Sequence, residues 1–316
     1  MKSLLLAALL VAPALSAVSA QRTVPTTGQW LIDPGEHSGV VRLTIRYGER
    51  RYENSWNSQD DVPLSELVGL SAADMGGSGA TVHFKIVRSA GTLGCEGWFD
   101  AGKGSGHFTY LANPDFVTEL SKRGINAPTA WEQFSMTMSG VGLDLVDELK
   151  KQGYDRPTSS DLARMGTHGV DLEYLRAIGA RGYHLGEPEA LVRMRDHGVD
   201  PDFIESLDSA GYTHLGAEDL VRLRDHGVDG DYIAEMKEVG YTPSNVEELV
   251  DSRDHGVDAS YIRSIKEAGY DSLSLRELRQ ARDHGVTKAF IRRVADRGYG
   301  KPSLEEVIRL RDRGLD

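Results

Sequence analysis

The apolar residues in the last two-thirds of the chain recur with a helical period, in a unit that repeats every 29 residues. In one unit, Phe203, Ile204 and Leu207 fall at spacings that share one face of a helix. Gly211 follows this run and can take the left-handed backbone conformation that ends many helices. A second apolar run, Leu220–Leu223, comes next. Each unit is therefore predicted to form two short helices.

Two marker motifs fix the period of the repeat. A Gly-Tyr pair recurs at 29-residue steps, beginning at Gly153, Gly182, Gly211, Gly240, Gly269 and Gly298. A His-Gly-Val motif recurs at the same step, beginning at His168, His197, His226, His255 and His284. The series predicts about seven units in residues 113–316, of which the first (113–141) is degenerate and is expected to dock on the preceding domain. Because such short helices are marginal alone, they are expected to stack as an α-solenoid.

The residues before the repeats alternate with the period of two that is typical of β-strands. Val41, Leu43 and Ile45 alternate with polar residues, and the segment Val82–Ile86 has the same pattern. Residues 21–112 are therefore predicted to form a β-rich domain of about five or six antiparallel strands, either a small sandwich or an open barrel. With the solenoid of residues 113–316, the chain is predicted to be an α+β protein of two domains.

The first twenty residues have the pattern of a signal peptide. Lys2 precedes an apolar run, and small residues at positions 18–20 offer a cleavage site before Gln21. An uncleaved anchor helix is the less favoured alternative, because the run is shorter than the ~20 residues that span a bilayer. Residues 1–20 are thus predicted to be removed, which leaves a periplasmic or secreted protein without membrane insertion.

The charge of the chain narrows the range of partners. It carries 48 acidic and 36 basic residues, a net charge of −12, which argues against nucleic acid and against an anionic membrane surface. Residues 113–316 hold 38 of the acidic and 27 of the basic residues, so the array favours a protein or peptide partner with a basic patch. The single cysteine, Cys95, excludes an intrachain disulfide and a zinc site of several cysteines, and the sequence implies no cofactor.

Two rows of charged side chains accompany the repeat and are candidates for partner binding or pH sensing. One comprises His168, His197, His226, His255 and His284, and the other Arg195, Arg224, Arg253 and Arg282. A metal array is disfavoured, because stacked helices lie about 8–10 Å apart while two histidines on one zinc ion bring their nitrogens within roughly 4 Å. The structural alternative is that each histidine interacts with the C-terminal carbonyls and dipole of its own helix. The arginines are expected to pair between helices or to lie in solvent.

Aromatic residues provide two further candidate surfaces. The tyrosines of the Gly-Tyr pairs are expected to pack back on the helix that the glycine ends, in preference to lining a groove for sugars or peptides. In the β-rich domain, Trp30, Trp56 and Trp98 are candidates for stacking on a glycan, and the alternative is that they belong to its core.

The repeat resembles a known kind of module. Its core Leu223–Ile233, Leu-Arg-Asp-His-Gly-Val-Asp-x-x-Tyr-Ile, followed by Gly-Tyr, is similar to short helical repeats of exported bacterial proteins. Similar repeats are appended to membrane metallopeptidases of the β-lactam-sensor antirepressor type. The resemblance covers about two-thirds of the chain and implies an accessory, partner-binding array in the bacterial envelope. It does not imply proteolysis, because the sequence lacks the membrane helices and the His-Glu-x-x-His zinc motif of those peptidases.

These features together predict a non-enzymatic, exported interaction protein whose helical array binds a protein or peptide partner. No Gly-x-Ser-x-Gly or paired-cysteine motif points to catalysis. The alternative is that the β-rich domain binds a glycan or small molecule, while the solenoid serves as a spacer or an oligomerisation module.

Overall fold

The computed structural model describes residues 24–47, 56–154 and 156–315, and for residues 56–60 it describes the backbone alone. The predicted signal peptide, residues 1–20, lies outside these ranges. The described chain forms an antiparallel sheet followed by an array of helices, which is the α+β arrangement that the sequence predicts.

Seven strands form one antiparallel sheet that curls into a nearly closed barrel. The strands are β1 (Thr27–Pro34), β2 (Val40–Tyr47), β3 (Trp56–Pro63), β4 (Leu67–Val68), β5 (Ser78–Val87), β6 (Gly91–Asp100) and β7 (Lys103–Ala112). Their order is β3-β2-β1-β7-β6-β5-β4, so β3 and β4 are the edges of the sheet. Buried side chains from all seven strands meet in one core. The β-rich domain is therefore the open barrel of the two predicted alternatives.

Trp30 lies at the centre of the barrel and is fully buried. Its indole Nε1 donates to the carbonyl oxygens of His107 at 3.1 Å and Glu96 at 3.3 Å, so its one polar atom is satisfied. Gly97 and Gly106 face the ring from β6 and β7, and a Cβ atom at either position would lie 2.5–2.7 Å from it. Glycine is required at both positions because the indole fills the space of a side chain.

Residues 113–154 and 156–315 form fourteen helices, which follow one short helix, α1 (Ala72–Met75), between β4 and β5. They are α2 (Pro114–Lys122), α3 (Ala130–Ser139), α4 (Leu143–Lys151), α5 (Ser159–Thr167), α6 (Leu172–Ala180), α7 (Pro188–Asp196), α8 (Pro201–Ser209), α9 (Ala217–Asp225), α10 (Gly230–Glu238), α11 (Val246–Asp254), α12 (Ala259–Glu267), α13 (Leu275–Asp283), α14 (Lys288–Val294) and α15 (Leu304–Asp312). From α4 onward, each helix begins 29 residues after the helix two places before it. Even-numbered helices pack on even-numbered ones and odd on odd, so the array has two rows that share one continuous core.

The helix boundaries follow signals that the sequence contains. The side chains of Asp200, Asp229 and Asp258 accept hydrogen bonds at 2.7–2.9 Å from the backbone N–H three residues further on, as N-caps do. Gly211 and Gly227 follow α8 and α9 with φ angles of 90° and 66°, which are left-handed conformations. The end of α8 that the sequence predicts at Gly211 is thus confirmed.

Helix α3 joins the array to the barrel. Phe134 of α3 is fully buried in the barrel core and meets Tyr47 and Tyr110 edge-on, with ring centroids 4.8 and 5.0 Å apart. Arg88, in the turn between β5 and β6, donates to the carbonyl oxygens of Thr137 and Met138 near the end of α3. The first helical pair therefore docks on the β-rich domain, as its degenerate sequence predicts.

Candidate functional site

Each histidine of the repeat follows a helix of the odd-numbered row and contacts an aspartate of the next unit. Its Nδ1 atom lies 2.6–2.7 Å from Oδ1 of the aspartate 28 residues further along the chain. The pairs are His168–Asp196, His197–Asp225, His226–Asp254, His255–Asp283 and His284–Asp312. The histidine side chains therefore link consecutive units, whereas the sequence led us to expect contacts with the carbonyls of their own helices.

His255 has a second acidic neighbour. Its Nε2 atom lies 3.5 Å from Oδ1 of Asp251, on the side of the ring opposite the hydrogen bond to Asp283. The hydrogen bond to Asp283 is the largest influence on the pKa of His255 and raises it above the ordinary value. The charges of both aspartates add to this effect, while Arg279 opposes it. His255 is therefore the position at which the pH-sensing hypothesis is tested most directly.

The arginines of the repeat stack on aromatic rings at the start of the preceding helix. The guanidinium carbon lies 4.8–4.9 Å from the ring centroid in four pairs: Arg195–Tyr174, Arg224–Phe203, Arg253–Tyr232 and Arg282–Tyr261. Within the described residues, none of these four arginines forms an ion pair with a carboxylate. The contact lies between two helices, as expected, but it is a cation–π contact in place of a salt bridge.

Two sets of tyrosines add hydrogen bonds between units. In the even-numbered row, the hydroxyls of Tyr174, Tyr232 and Tyr261 donate to the carbonyl oxygens of Val199, Val257 and Val286. In the Gly-Tyr pairs, the hydroxyls of Tyr212, Tyr241 and Tyr270 donate to the carbonyl oxygens of Pro243, Leu273 and Pro302. The rings of both sets pack on the core of the array. The packing interpretation is thus confirmed for Tyr212, Tyr241 and Tyr270, whereas Tyr299 of the last Gly-Tyr pair is 48% exposed.

The repeated polar and aromatic side chains therefore stabilise the stack of units. Other polar side chains of the array take part in none of these contacts. The described residues contain two clefts along one edge of the array where such side chains collect.

The larger cleft, of about 820 Å³, lies between the β-rich domain and the first units of the array. Its walls are the end of β3 and the segment after it, the turn between β5 and β6, the ends of α3 and α5, and the starts of α4 and α6. The charged side chains in its lining are Asp61, Glu66, Asp144, Asp171, Glu173, Arg88 and Arg195. The lining is negatively charged overall, because it contains five acidic side chains and two arginines.

The larger cleft lies along a row of exposed acidic side chains. The second residue of α4, α6, α8 and α10 is acidic in each case, and we call these four residues the acidic row: Asp144, Glu173, Asp202 and Asp231. The last two line a smaller cleft of about 250 Å³ that also contains Arg224. The same position in α12 and α14 holds Ser260 and Ala289, so helix formation does not require an acid there.

Sequence reasoning missed the acidic row. Its signal is present in the chain, because an acid stands two residues after the N-cap in successive units. That signal is masked by the N-cap aspartates themselves, for which capping is a sufficient explanation. Only the structure distinguishes the capping acids from the acidic row: Asp171, Asp200 and Asp229 accept N-cap hydrogen bonds.

The three tryptophans that were candidates for glycan stacking differ in their surroundings. Trp30 is enclosed in the barrel core and offers no ring face to a ligand, contrary to that prediction. Trp56 begins β3, and its side chain lies outside the described part of the structure. Trp98 lies on the outer face of β6 and is 52% exposed, with Thr81 and Ser105 opposite it on the neighbouring strands. The glycan hypothesis thus depends on Trp98.

Other chemical groups do not assemble into a site in the described ranges. Within those ranges, no group of three or more His, Cys, Asp or Glu side chains is arranged to hold a metal ion. Cys95 is buried on β6, and burial raises the pKa of its thiol to about 12. Among the described helices, none has both the length and the apolar character needed to cross a membrane.

Comparison of the sequence with models of known protein families gives no match, and a search of curated proteins gives no relative. The fold defines the class of protein: an α+β protein in which a barrel-like β-domain is joined to a two-row helical array.

Proposed function

We propose that the protein is a non-enzymatic, exported interaction protein whose helical array binds a protein or peptide partner in the bacterial envelope. The observation that carries the proposal is the contrast between two groups of side chains in the array. The repeated histidines, arginines and tyrosines contact neighbouring units, whereas the acidic row lies exposed along two clefts. An excess of 11 acidic over basic residues in 113–316 favours a partner with a basic patch.

The array is proposed to consist of seven units of 29 residues, of which the first is degenerate. The constant spacing of the helix starts supports this count. The inter-unit hydrogen bonds also join residues 25 to 32 positions apart, which is the distance expected between neighbouring units. Since each unit of such an array contacts mainly its neighbours, the array presents an extended surface.

Export is proposed from residues 1–20, which have the charge, the apolar run and the small residues of a signal peptide. The mature protein then acts in the periplasm or outside the cell, without membrane insertion. Neither nucleic acid nor a cofactor is part of the proposed function.

Photo-crosslinking in the producing cell tests the proposal with the full chain. A benzoylphenylalanine residue is placed on the array at Ser209 or Ala234, which are exposed, and as a control on the barrel at Lys85. We expect ultraviolet light to join the same protein to the array positions, and purified partner to bind the purified chain. If only the Lys85 position forms adducts, or if no position does, the array does not carry the function.

A second candidate function, glycan binding by the β-domain, is favoured by the exposure of Trp98. The ring stands on the outer face of the sheet beside a cross-strand row of hydrogen-bonding side chains, His83, Glu96 and His107. An aromatic face next to polar groups suits a sugar ring, which has apolar C–H faces and polar edges.

Tryptophan fluorescence tests this second candidate with soluble oligomers of glucose and of N-acetylglucosamine as probes. We expect a saturable change in the emission of the wild-type chain that is absent in Trp98→Ala. The matched control is Leu111→Ala, which alters another exposed apolar residue of the same domain. An equal response of wild type and Trp98→Ala rules out this candidate.

A further inference from the structure

The acidic row repeats once per unit, as the binding surface for a regularly spaced, extended cationic chain would. Its four members occupy the same position in helices that stack successively, so they lie one unit apart. Stacked helices are about 8–10 Å apart. A polypeptide in the polyproline II conformation advances about 3.1 Å per residue, so every third side chain lies roughly 9 Å further along. The two spacings match.

We propose that the acidic row and its two clefts bind an extended, basic segment of a protein partner, in which lysine or arginine occurs at about every third residue. This inference rests on the proposed function of the array. It adds the location of the site and the chemistry of the partner.

The carboxylates of the row are available to such a segment. Within the described residues, Glu173, Asp202 and Asp231 form no hydrogen bond or ion pair, and all three are exposed. The fourth, Asp144, accepts only the backbone N–H of its neighbour Leu145. The row therefore presents exposed carboxylates that are not paired with a basic side chain among the described residues.

The arginines in the two clefts do not neutralise the row. Arg195 stacks on Tyr174 and Arg224 on Phe203, and each lies in a lining that contains more carboxylates than guanidinium groups. The larger cleft also contains Val87, which is 58% exposed. This side chain offers an apolar contact to the aliphatic part of a lysine or arginine of the partner.

A bound metal ion is not a satisfactory alternative occupant. Oxygen ligands of a calcium ion lie about 2.3–2.6 Å from it, so the carboxylates that share one ion must be close together. Neighbouring members of the acidic row are one helix spacing apart, about 8–10 Å. A chain of separate cations meets this arrangement, and a single ion does not.

The experiment uses the mature full-length chain and fluorescent peptides of about twelve residues, the length that four cations at every third position require. The first peptide repeats Lys-Pro-Ala, and the second has the same composition with its lysines consecutive. Binding is measured by fluorescence anisotropy at low and moderate salt. We expect the first peptide to bind more tightly than the second, and its affinity to fall as salt screens the charges.

Two variants distinguish the effect of the acidic row on affinity from the effect of net charge. The row variant carries Asp144→Asn, Glu173→Gln, Asp202→Asn and Asp231→Asn. The matched control removes four other exposed acids by Asp208→Asn, Glu235→Gln, Asp271→Asn and Asp296→Asn. We expect about a tenfold or greater loss of affinity in the row variant, because several ion pairs of small individual worth are lost together. The control is expected to change affinity less than threefold or so, through long-range charge alone.

Each other outcome overturns the inference. Equal losses of affinity in the two variants mean that the array attracts cations without a specific site. Equal affinity for both peptides means that the array does not distinguish the spacing of the lysines. Absence of binding to either peptide removes the basic segment as occupant. If the partner captured by crosslinking at Ser209 or Ala234 binds the row variant as well as wild type, the proposed function stands and this inference fails.

Discussion

The Nδ1 atom of His255 lies 2.7 Å from Oδ1 of Asp283, an aspartate that directly precedes the next histidine of the repeat. The adjacent residues Asp283 and His284 therefore take part in two different contacts: the aspartate binds back to the previous unit and the histidine binds forward to Asp312. One short motif thus connects three successive units. This arrangement explains why aspartate and histidine recur as adjacent residues in the repeat.

The His255–Asp283 contact is expected to stabilise the protein more at mildly acidic than at alkaline pH. The pKa of His255 is raised in the folded chain. Its contribution is therefore complete below the pKa of unfolded histidine, about 6.5, and is lost as the pH rises through the raised folded value. Chemical unfolding of wild type, His255→Gln, Asp283→Asn and the double variant at about pH 5.5 and pH 8 gives the coupling energy at each pH.

We expect the coupling energy of this cycle to be larger at the lower pH. Asp251 and Arg279 also face the imidazole, so an Asp251→Asn background serves as the control for the second carboxylate. A coupling energy that is the same at both pH values contradicts the assignment of a protonated ring at this position.

The hydroxyl of Tyr232 is expected to stabilise the array through its bond to Val257. Tyr232→Phe leaves that buried carbonyl without its donor and should cost about 1–2 kcal/mol in the free energy of unfolding. The chain offers a matched reverse change, because Phe203 occupies the same position one unit earlier. Phe203→Tyr should add the equivalent bond to Val228 and stabilise by about 0.5–1.5 kcal/mol. Urea unfolding of both variants is the measurement, and shifts of the same sign would contradict the assignment.

Phe134 is expected to couple the unfolding of the two domains. The side chain is fully buried between Tyr47 and Tyr110, so Phe134→Ala should cost about 3–5 kcal/mol. Because the lost contacts join α3 to the barrel, the two domains should unfold more independently in the variant. Calorimetry should then resolve two unfolding transitions in Phe134→Ala that overlap more in wild type. Leu111→Ala, at a site that is 71% exposed, should change stability by less than about 0.5 kcal/mol. A wild-type melting profile for Phe134→Ala would refute this role.

Cys95 is expected to report on the unfolding of the barrel. Its thiol is buried and its pKa is raised to about 12, so little thiolate forms in the folded chain near neutral pH. Iodoacetamide labelling followed by mass spectrometry should therefore be slow in buffer and fast in denaturant. In Phe134→Ala, native-state labelling should become faster. Rapid labelling of the wild-type chain would show that the thiol is accessible in the folded state.

The helices were predictable because their signals are local. Apolar spacing, N-cap aspartates such as Asp229 and left-handed glycines such as Gly227 each act within a few residues. The barrel was predicted less completely. Strand β4 has only two residues, and β1 pairs with β7 about 80 residues further along, so neither the strand count nor the closure of the sheet is encoded in a short window.

The side-chain contacts between units were not predictable from the 29-residue period alone. The period repeats the histidine and the aspartate of the motif in every unit, but the rotation and offset of one unit on the next decide whether His226 meets Asp254. The same holds for Arg224, which stacks on Phe203 and not on a carboxylate. For a similar reason the sequence left Trp30 between glycan stacking and the core, since alternation along β1 does not reveal that glycines on β6 and β7 make room for its ring.

The histidine–aspartate contact between units is the same at each step from His168 to His284, which allows whole units to be lost or gained. Excision of residues 198–226 would join His197 to Gly227 and would place Asp254 where Asp225 now lies, with each motif again meeting its usual counterpart. An in-frame duplication of the same stretch would lengthen the array in the same way. Loss or gain of one unit therefore shortens or lengthens the array by one helix spacing. The histidine–aspartate contacts between the remaining units are unchanged.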